Sequence, residues 1–336
     1  MDKQITERDI EIDVKGLKVR GTLCSPQSDT KTPIVLMLHG FTGNKNESVS
    51  NVAPEGKYKL LADKLAKRGI SSLRINMLGS GNSDGKFEDT SAYTWYDSAS
   101  AAFDYIYNSN QFDNSKISVL GLSFGGFVAC MLAGNRTSKI HSLCLWNPAV
   151  NMLNVMSTIT LVDQIPNFKE TDTVYTVKMP KWDNQVLLKG KFFQSISEVS
   201  PHAEISKYHG DVLVQIGLQD SVVWPEPFIA QGLLNYHQGK HELWTVNGGH
   251  GFENHKDNLS LLDTIDKTVE FFFKKSVSKR SLTSQNKNNC LTKVRKNKNK
   301  SLRLVKYNLY SKQIHPKKHE ILRKESKKII VQFFDR

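Results

Sequence analysis

Residues 117–126 read Ile117-Ser-Val-Leu-Gly121-Leu-Ser123-Phe-Gly125-Gly126, and this stretch decides the fold. Ile117–Leu120 is a short apolar run of the kind expected for a strand buried on both faces, and 123–133 is rich in small apolar residues and reads as a helix. A serine between the two, with glycine two residues before and after it, fits a G-x-S-x-G elbow. The turn is so tight that only minimal side chains fit at positions 121 and 125. It lifts the Ser123 hydroxyl clear of the strand, and the helix N-terminus behind it favours developing negative charge.

Outward from the elbow, strand-like and helix-like segments alternate. Residues 11–14 and 17–22 form an opening pair of strands, and Pro33–Leu38 (PIVLML) is a second buried strand. Residues 57–68 space Leu60, Leu61 and Leu65 at helical intervals and stop at Gly69. Residues 70–75 read as a strand, 96–107 as a helix, and 143–146, 212–216 and 243–246 as further strands. Residues 259–273 form a closing amphipathic helix. This alternation predicts a mostly parallel, doubly wound α/β sheet. The stretch from about 150 to 200 breaks the rhythm. It is too long for an ordinary connection and too aromatic for disorder, with Trp182 and Phe192-Phe193, and is expected to be a lid.

A serine hydroxyl needs a histidine to take its proton, and the histidine needs a carboxylate to hold its tautomer. The order serine, acid, histidine selects Asp220, in IGLQDSVV after the strand VLVQI, and His250, in VNGGHGF after ELWTV. Asp211 precedes its strand and belongs at the opposite edge of the sheet, as do His237 and His241. Asp163 and His255 are weaker rivals, and His39 is expected to be a structural loop histidine. The two donors for an oxyanion are expected to be the backbone N–H groups of Phe124, the residue after the nucleophile, and Phe41, in the His39-Gly-Phe-Thr-Gly43 loop. No metal or organic cofactor is called for.

The chain has 336 residues, 39% hydrophobic and 24% charged, and a net charge of +13. Lys274–Arg336 holds 20 Lys and Arg against three acidic residues, a net +17, which leaves −4 for residues 1–273. The body is therefore mildly acidic, and no specific nucleic-acid partner is expected. The segment 274–336 has the composition of a disordered extension able to bind anions nonspecifically. No run reaches the ~18 apolar residues of a membrane helix, and the start, MDKQITERDIEIDV, has no apolar leader. The four cysteines are too scattered for a disulfide framework or a zinc site, which points to a cytoplasmic setting.

The segments HGFTGNKNE (39–47), RINMLGSGNSDGKFED (74–89), GLSFGG (121–126), GLQDSVV (217–223) and GGHGF (248–252) resemble the serine α/β-hydrolase superfamily. Within it, they are similar to the bacterial cinnamoyl (feruloyl) esterases over roughly residues 8–273. The resemblance implies an α/β-hydrolase domain over 1–273, with the lid insertion at about 150–200. It also implies an esterase that releases hydroxycinnamic acids from small esters, binding the aromatic acid under the insertion. Asp163, Gln164, Tyr175 and Trp182 have suitable chemistry there. The expected partner is a small-molecule ester, with a homodimer as the assembly to test. A generic short-chain acyl esterase or a peptidase- or lipase-like hydrolase would share the triad. A binding protein on a hydrolase fold would have lost one of its three members, all of which are present.

Overall fold

A computed structural model describes residues 4–160, 170–253 and 259–276. Eight strands form one sheet, in the order β1 (Ile5–Val14), β2 (Leu17–Pro26), β4 (Ser71–Ile75), β3 (Thr32–Leu38), β5 (Phe112–Leu122), β6 (Ser142–Trp146), β9 (Asp211–Gly217) and β10 (His241–Val246). The β1–β2 and β2–β4 pairs are antiparallel, and every pair from β4 to β10 is parallel. Every residue of β4 and β6 is buried, as strands covered by helices on both faces must be.

The helices follow the sequence pattern with two adjustments. α1 (Lys57–Lys67) buries Leu61 and Leu65 but leaves Leu60 half-buried. α2 runs Ala92–Tyr107, one turn earlier than its apolar spacing indicates, because Ser91 and Thr94 form a reciprocal capping box. Thr94 stands where glutamate or glutamine is the usual signal, which hid the cap from a sequence reading. α3 (Phe124–Asn135) is buried on all sides from Phe124 to Ala133, so it has no polar face to show to solvent. α6 (Pro201–Lys207) and α7 (Phe228–Tyr236) flank β9, and α8 (Leu259–Ser276) closes the sheet near β10.

The described residues between β6 and α6 hold further elements. They contain α4 (Met152–Ile159), an antiparallel hairpin of β7 (Val174–Met179) and β8 (Asn184–Lys189), and α5 (Gly190–Glu198). The hairpin turns through a single 3₁₀ turn at Pro180–Trp182, followed by Asp183 in the left-handed region. Among the described residues, no helix is long and apolar enough to cross a membrane.

Candidate active site

Ser123 sits between β5 and α3 at φ 54°, in a conformation that L residues adopt only under constraint. The constraint is steric. A Cβ on Gly121 would lie 2.3 Å from the Gly125 carbonyl oxygen, and one on Gly125 would lie 2.2 Å from that of Leu38. The Ser123 carbonyl accepts the N–H groups of Gly126, Phe127 and Ala149, and its own N–H donates to Trp146. Ser123 is 6% exposed and opens onto a cavity of about 330 Å³. Gly40, Phe41, Glu47, Lys57, Trp182, Val222, His250 and Glu253 are among the residues that line it.

Asp220 follows β9 and is buried. Its Oδ1 accepts the N–H groups of Val222 at 2.7 Å and Val223 at 3.0 Å, which fixes the carboxylate. Its Oδ2 lies 2.7 Å from His250 Nδ1. This arrangement holds the imidazole with Nδ1 toward the acid and leaves Nε2 for another partner. Among the described residues, no hydrogen bond joins His250 to the Ser123 hydroxyl; both line the same cavity, and such bonds tighten when substrate arrives.

The two expected oxyanion donors lie beside the serine. Phe124 is the first residue of α3, whose N–H has no partner within the helix. Phe41 follows Gly40, whose Cβ position lies 3.4 Å from that of Ser123. Among the described residues, no acceptor takes the Phe41 N–H. The rings of Phe41 and Phe124 both pack on Phe192 of α5, at centroid distances of 5.3 and 5.7 Å. The insertion thereby touches the side chains of both residues expected to supply the donors.

Of the insertion residues with suitable chemistry, Trp182 lines the cavity and is 47% exposed. Tyr175 does not line it. Strand alternation places Tyr175 on the face of Val177 and Met179, and its hydroxyl donates to Glu170 at 3.2 Å. Asp163 and Gln164 lie outside the described residues, as does His255.

The rivals set aside on the sequence have other partners. His39 is fully buried: Nε2 accepts the Met77 N–H at 3.0 Å and Nδ1 donates to the Gly40 carbonyl at 2.8 Å. Burial pushes its pKa down to about 4, so the ring stays neutral. Asp211 pairs with Lys275, and His237 meets His241 at 3.4 Å. Glu7, Cys24 and Asp63 form the one group with metal-ligand spacing among the described residues. Arg74 and Lys59 already neutralise its two carboxylates, and burial pushes the Cys24 thiol up to about 12.

Four residues near the site were not singled out on the sequence. Asn147, directly after β6 and at φ 40°, donates to the His250 carbonyl at 2.7 Å and accepts the Gly217 N–H at 2.9 Å. Glu47 accepts the Gly40 N–H at 2.5 Å. Lys57, 1% exposed at the start of α1, pairs with Glu253 just beyond His250. An asparagine after a strand, where positive φ is tolerated, was the only available hint for Asn147.

A mostly parallel sheet with a glycine-hemmed serine after β5, and an acid–histidine pair after β9 and β10, defines an α/β hydrolase fold. The comparisons agree. Residues 33–174 match the family model described as alpha/beta hydrolase fold. An uncharacterized protein of Rickettsia prowazekii is 35% identical over 125 residues, covering 36% of this chain and 48% of that protein. The acylamino-acid-releasing enzyme of Mus musculus is 24% identical over 212 residues, 62% of this chain and 26% of that enzyme. The chain thus matches about half or less of these curated relatives. Among solved structures, Est1E from Butyrivibrio proteoclasticus with ferulic acid bound superposes with a TM-score of 0.63 at 24% identity. That match covers 78% of this chain and 98% of that one. Acetyl xylan esterase 1 from Thermoanaerobacterium sp. JW/SL YS485 superposes with a TM-score of 0.54 at 16% identity, covering 82% and 89%. These likenesses establish the fold.

Proposed function

We propose that the chain is a serine carboxylester hydrolase whose triad is Ser123, His250 and Asp220. The observation that carries the reading is the 2.7 Å pairing of His250 Nδ1 with a fully hydrogen-bonded Asp220, on a loop that shares one cavity with the constrained Ser123. In this reading His250 Nε2 takes the hydroxyl proton as Ser123 Oγ attacks the ester carbonyl. The N–H groups of Phe41 and Phe124 then receive the oxyanion, and each such donor is worth roughly 2.7–4 kcal/mol. His250 returns the proton to the leaving alcohol, and water attacks the acyl-enzyme in the same way.

The acyl group we favour is a hydroxycinnamoyl unit, with Trp182 offering it an aromatic face. The sequence resemblance and the ferulic acid bound to Est1E support this choice. We assign the hydrolase domain to 1–273, its cap to about 150–200, and the basic extension to 274–336. The test is hydrolysis of methyl ferulate by the purified chain with Ser123→Ala as control. Turnover lost in the variant supports both nucleophile and substrate. Activity on p-nitrophenyl butyrate alone keeps the triad and removes the hydroxycinnamoyl assignment. A second reading, release of N-acylated amino acids, draws on the name of the mouse relative, and N-acetylalanine p-nitroanilide tests it.

A further inference from the structure

The Glu47 carboxylate is buried inside the turn that leads to the proposed oxyanion donor. Its Oε1 accepts the Gly40 N–H at 2.5 Å, and a Cβ on Gly43 would stand 3.0 Å from the same oxygen. The 40–43 turn is therefore wrapped around this carboxylate, with its own closing bond from Gly43 N–H to the Gly40 carbonyl. Two residues of the segment, Thr42 and Glu47, hold φ 61° without being glycine, so backbone strain is stored on both sides of the contact.

The other side of Glu47 is anchored as well. The carbonyls of Asn46 and Ser48 accept the N–H groups of Tyr58 and Lys57 at the start of α1, and the Tyr58 hydroxyl donates to the Leu38 carbonyl at the end of β3. Burial raises the Glu47 pKa, while the Gly40 N–H, Lys57 and His250 oppose that rise. A buried carboxylate is costly unless it is hydrogen-bonded or paired, and here the Gly40 N–H and the Lys57 charge supply that compensation.

We propose that Glu47 is a positioning residue. By accepting the Gly40 N–H it fixes the His39–Gly40 peptide, and with it the start of the adjoining Gly40–Phe41 peptide, whose N–H is the proposed second oxyanion donor beside Ser123. This rests on the hydrolase reading above. A donor displaced by about 1 Å costs up to roughly 10²-fold in rate, so the effect belongs in kcat and leaves substrate binding nearly untouched.

The test measures kcat and KM of the full chain toward p-nitrophenyl butyrate, with melting curves, for Glu47→Asp and Glu47→Gln. Asp draws the acceptor back from Gly40 and is expected to lower kcat about 30-fold, with KM within about twofold. Gln keeps an acceptor at the original reach and is expected to keep at least about a third of wild-type kcat. The inference is overturned if Asp keeps wild-type kcat, if its loss lies in KM, or if Gln falls as far as Asp. Should Asp not fold, Gln decides alone: kcat below about a third of wild type, or a changed KM, overturns the inference, and kcat at or above about a third at unchanged KM supports it. A wild-type chain that neither turns over the ester nor reacts with a fluorophosphonate at Ser123 overturns the hydrolase reading, and this inference with it. A reactive wild type with an indifferent Glu47→Asp overturns the inference alone.

Discussion

The side-chain amide of Asn147 donates to the backbone carbonyl of His250 over 2.7 Å while its oxygen receives the Gly217 N–H. One buried amide therefore ties the end of β6 to the end of β9 and to the loop carrying the proposed base. Asn147→Ala leaves the Gly217 N–H without its acceptor, a loss of about 1–3 kcal/mol in urea unfolding. The same variant frees the His250 loop, so kcat on an ester substrate is expected to fall at least about tenfold. Unchanged kcat in the folded variant would separate the tether from the chemistry.

Asp220 contacts the imidazole and two backbone N–H groups, so Asp220→Asn keeps much of the packing but reverses a donor and an acceptor at His250. The expected loss of kcat is on the order of 10³–10⁴-fold, with a melting temperature close to wild type. Steady-state kinetics and calorimetry on one preparation check both halves.

Phe192 packs on Phe41, Phe124 and Phe193 and is fully buried. Phe192→Ala is expected to cost about 3–5 kcal/mol of stability. It removes the ring that presses on both residues proposed to donate to the oxyanion. A folded variant at low temperature should therefore lose kcat more than KM rises.

His39 has a pKa of about 4 in the fold against an ordinary value of 6.5. Below pH 6.5 the unfolded chain binds a proton that the folded chain refuses, so stability falls as pH drops from about 6.5 toward 4. The amount is on the order of 3 kcal/mol. Urea unfolding at pH 7 and pH 4 checks this, with His39→Gln expected to lose correspondingly less between the two.

Glu226 behaves in the opposite sense. One carboxylate oxygen is buried without a hydrogen-bond partner among the described residues, and burial pushes the pKa up to about 7 from 4.5. Between these values the unfolded chain ionises first, so this contribution to stability is lost as pH rises through the window. Glu226→Gln removes the cost and is expected to be more stable than wild type at pH 8 by on the order of 1–2 kcal/mol. Thermal melts at pH 5 and pH 8 would show the difference growing with pH.

The sheet and its helices were legible because buried parallel strands such as PIVLML and ISVL are continuous apolar runs bounded by polar loops. The geometry around Ser123 was legible for a different reason: glycines at 121 and 125 leave a record of close backbone approach that no other residue type leaves. Asp220 and His250 followed from strand order. The contacts made by Asn147, Glu47, Lys57 and Glu253 were not legible. Each depends on which strand ends and helix starts become neighbours, and polar residues in loops look alike until the sheet brings them together. Tyr175 illustrates the same limit, since its side was set by the hairpin register with Val177 and Met179 and not by its chemistry.

The histidine proposed as base hangs from β10, which among the described residues pairs with β9 alone and has no strand on its other side. The serine, by contrast, follows a strand flanked by β3 and β6. Fraying at the rim of a sheet requires breaking one ladder, whereas exposing its middle requires dismantling the whole layer. Turnover should therefore fade at denaturant concentrations that leave the far-ultraviolet circular dichroism of the chain close to native. Catalysis would then report the attachment of one border strand before it reports the unfolding of the chain.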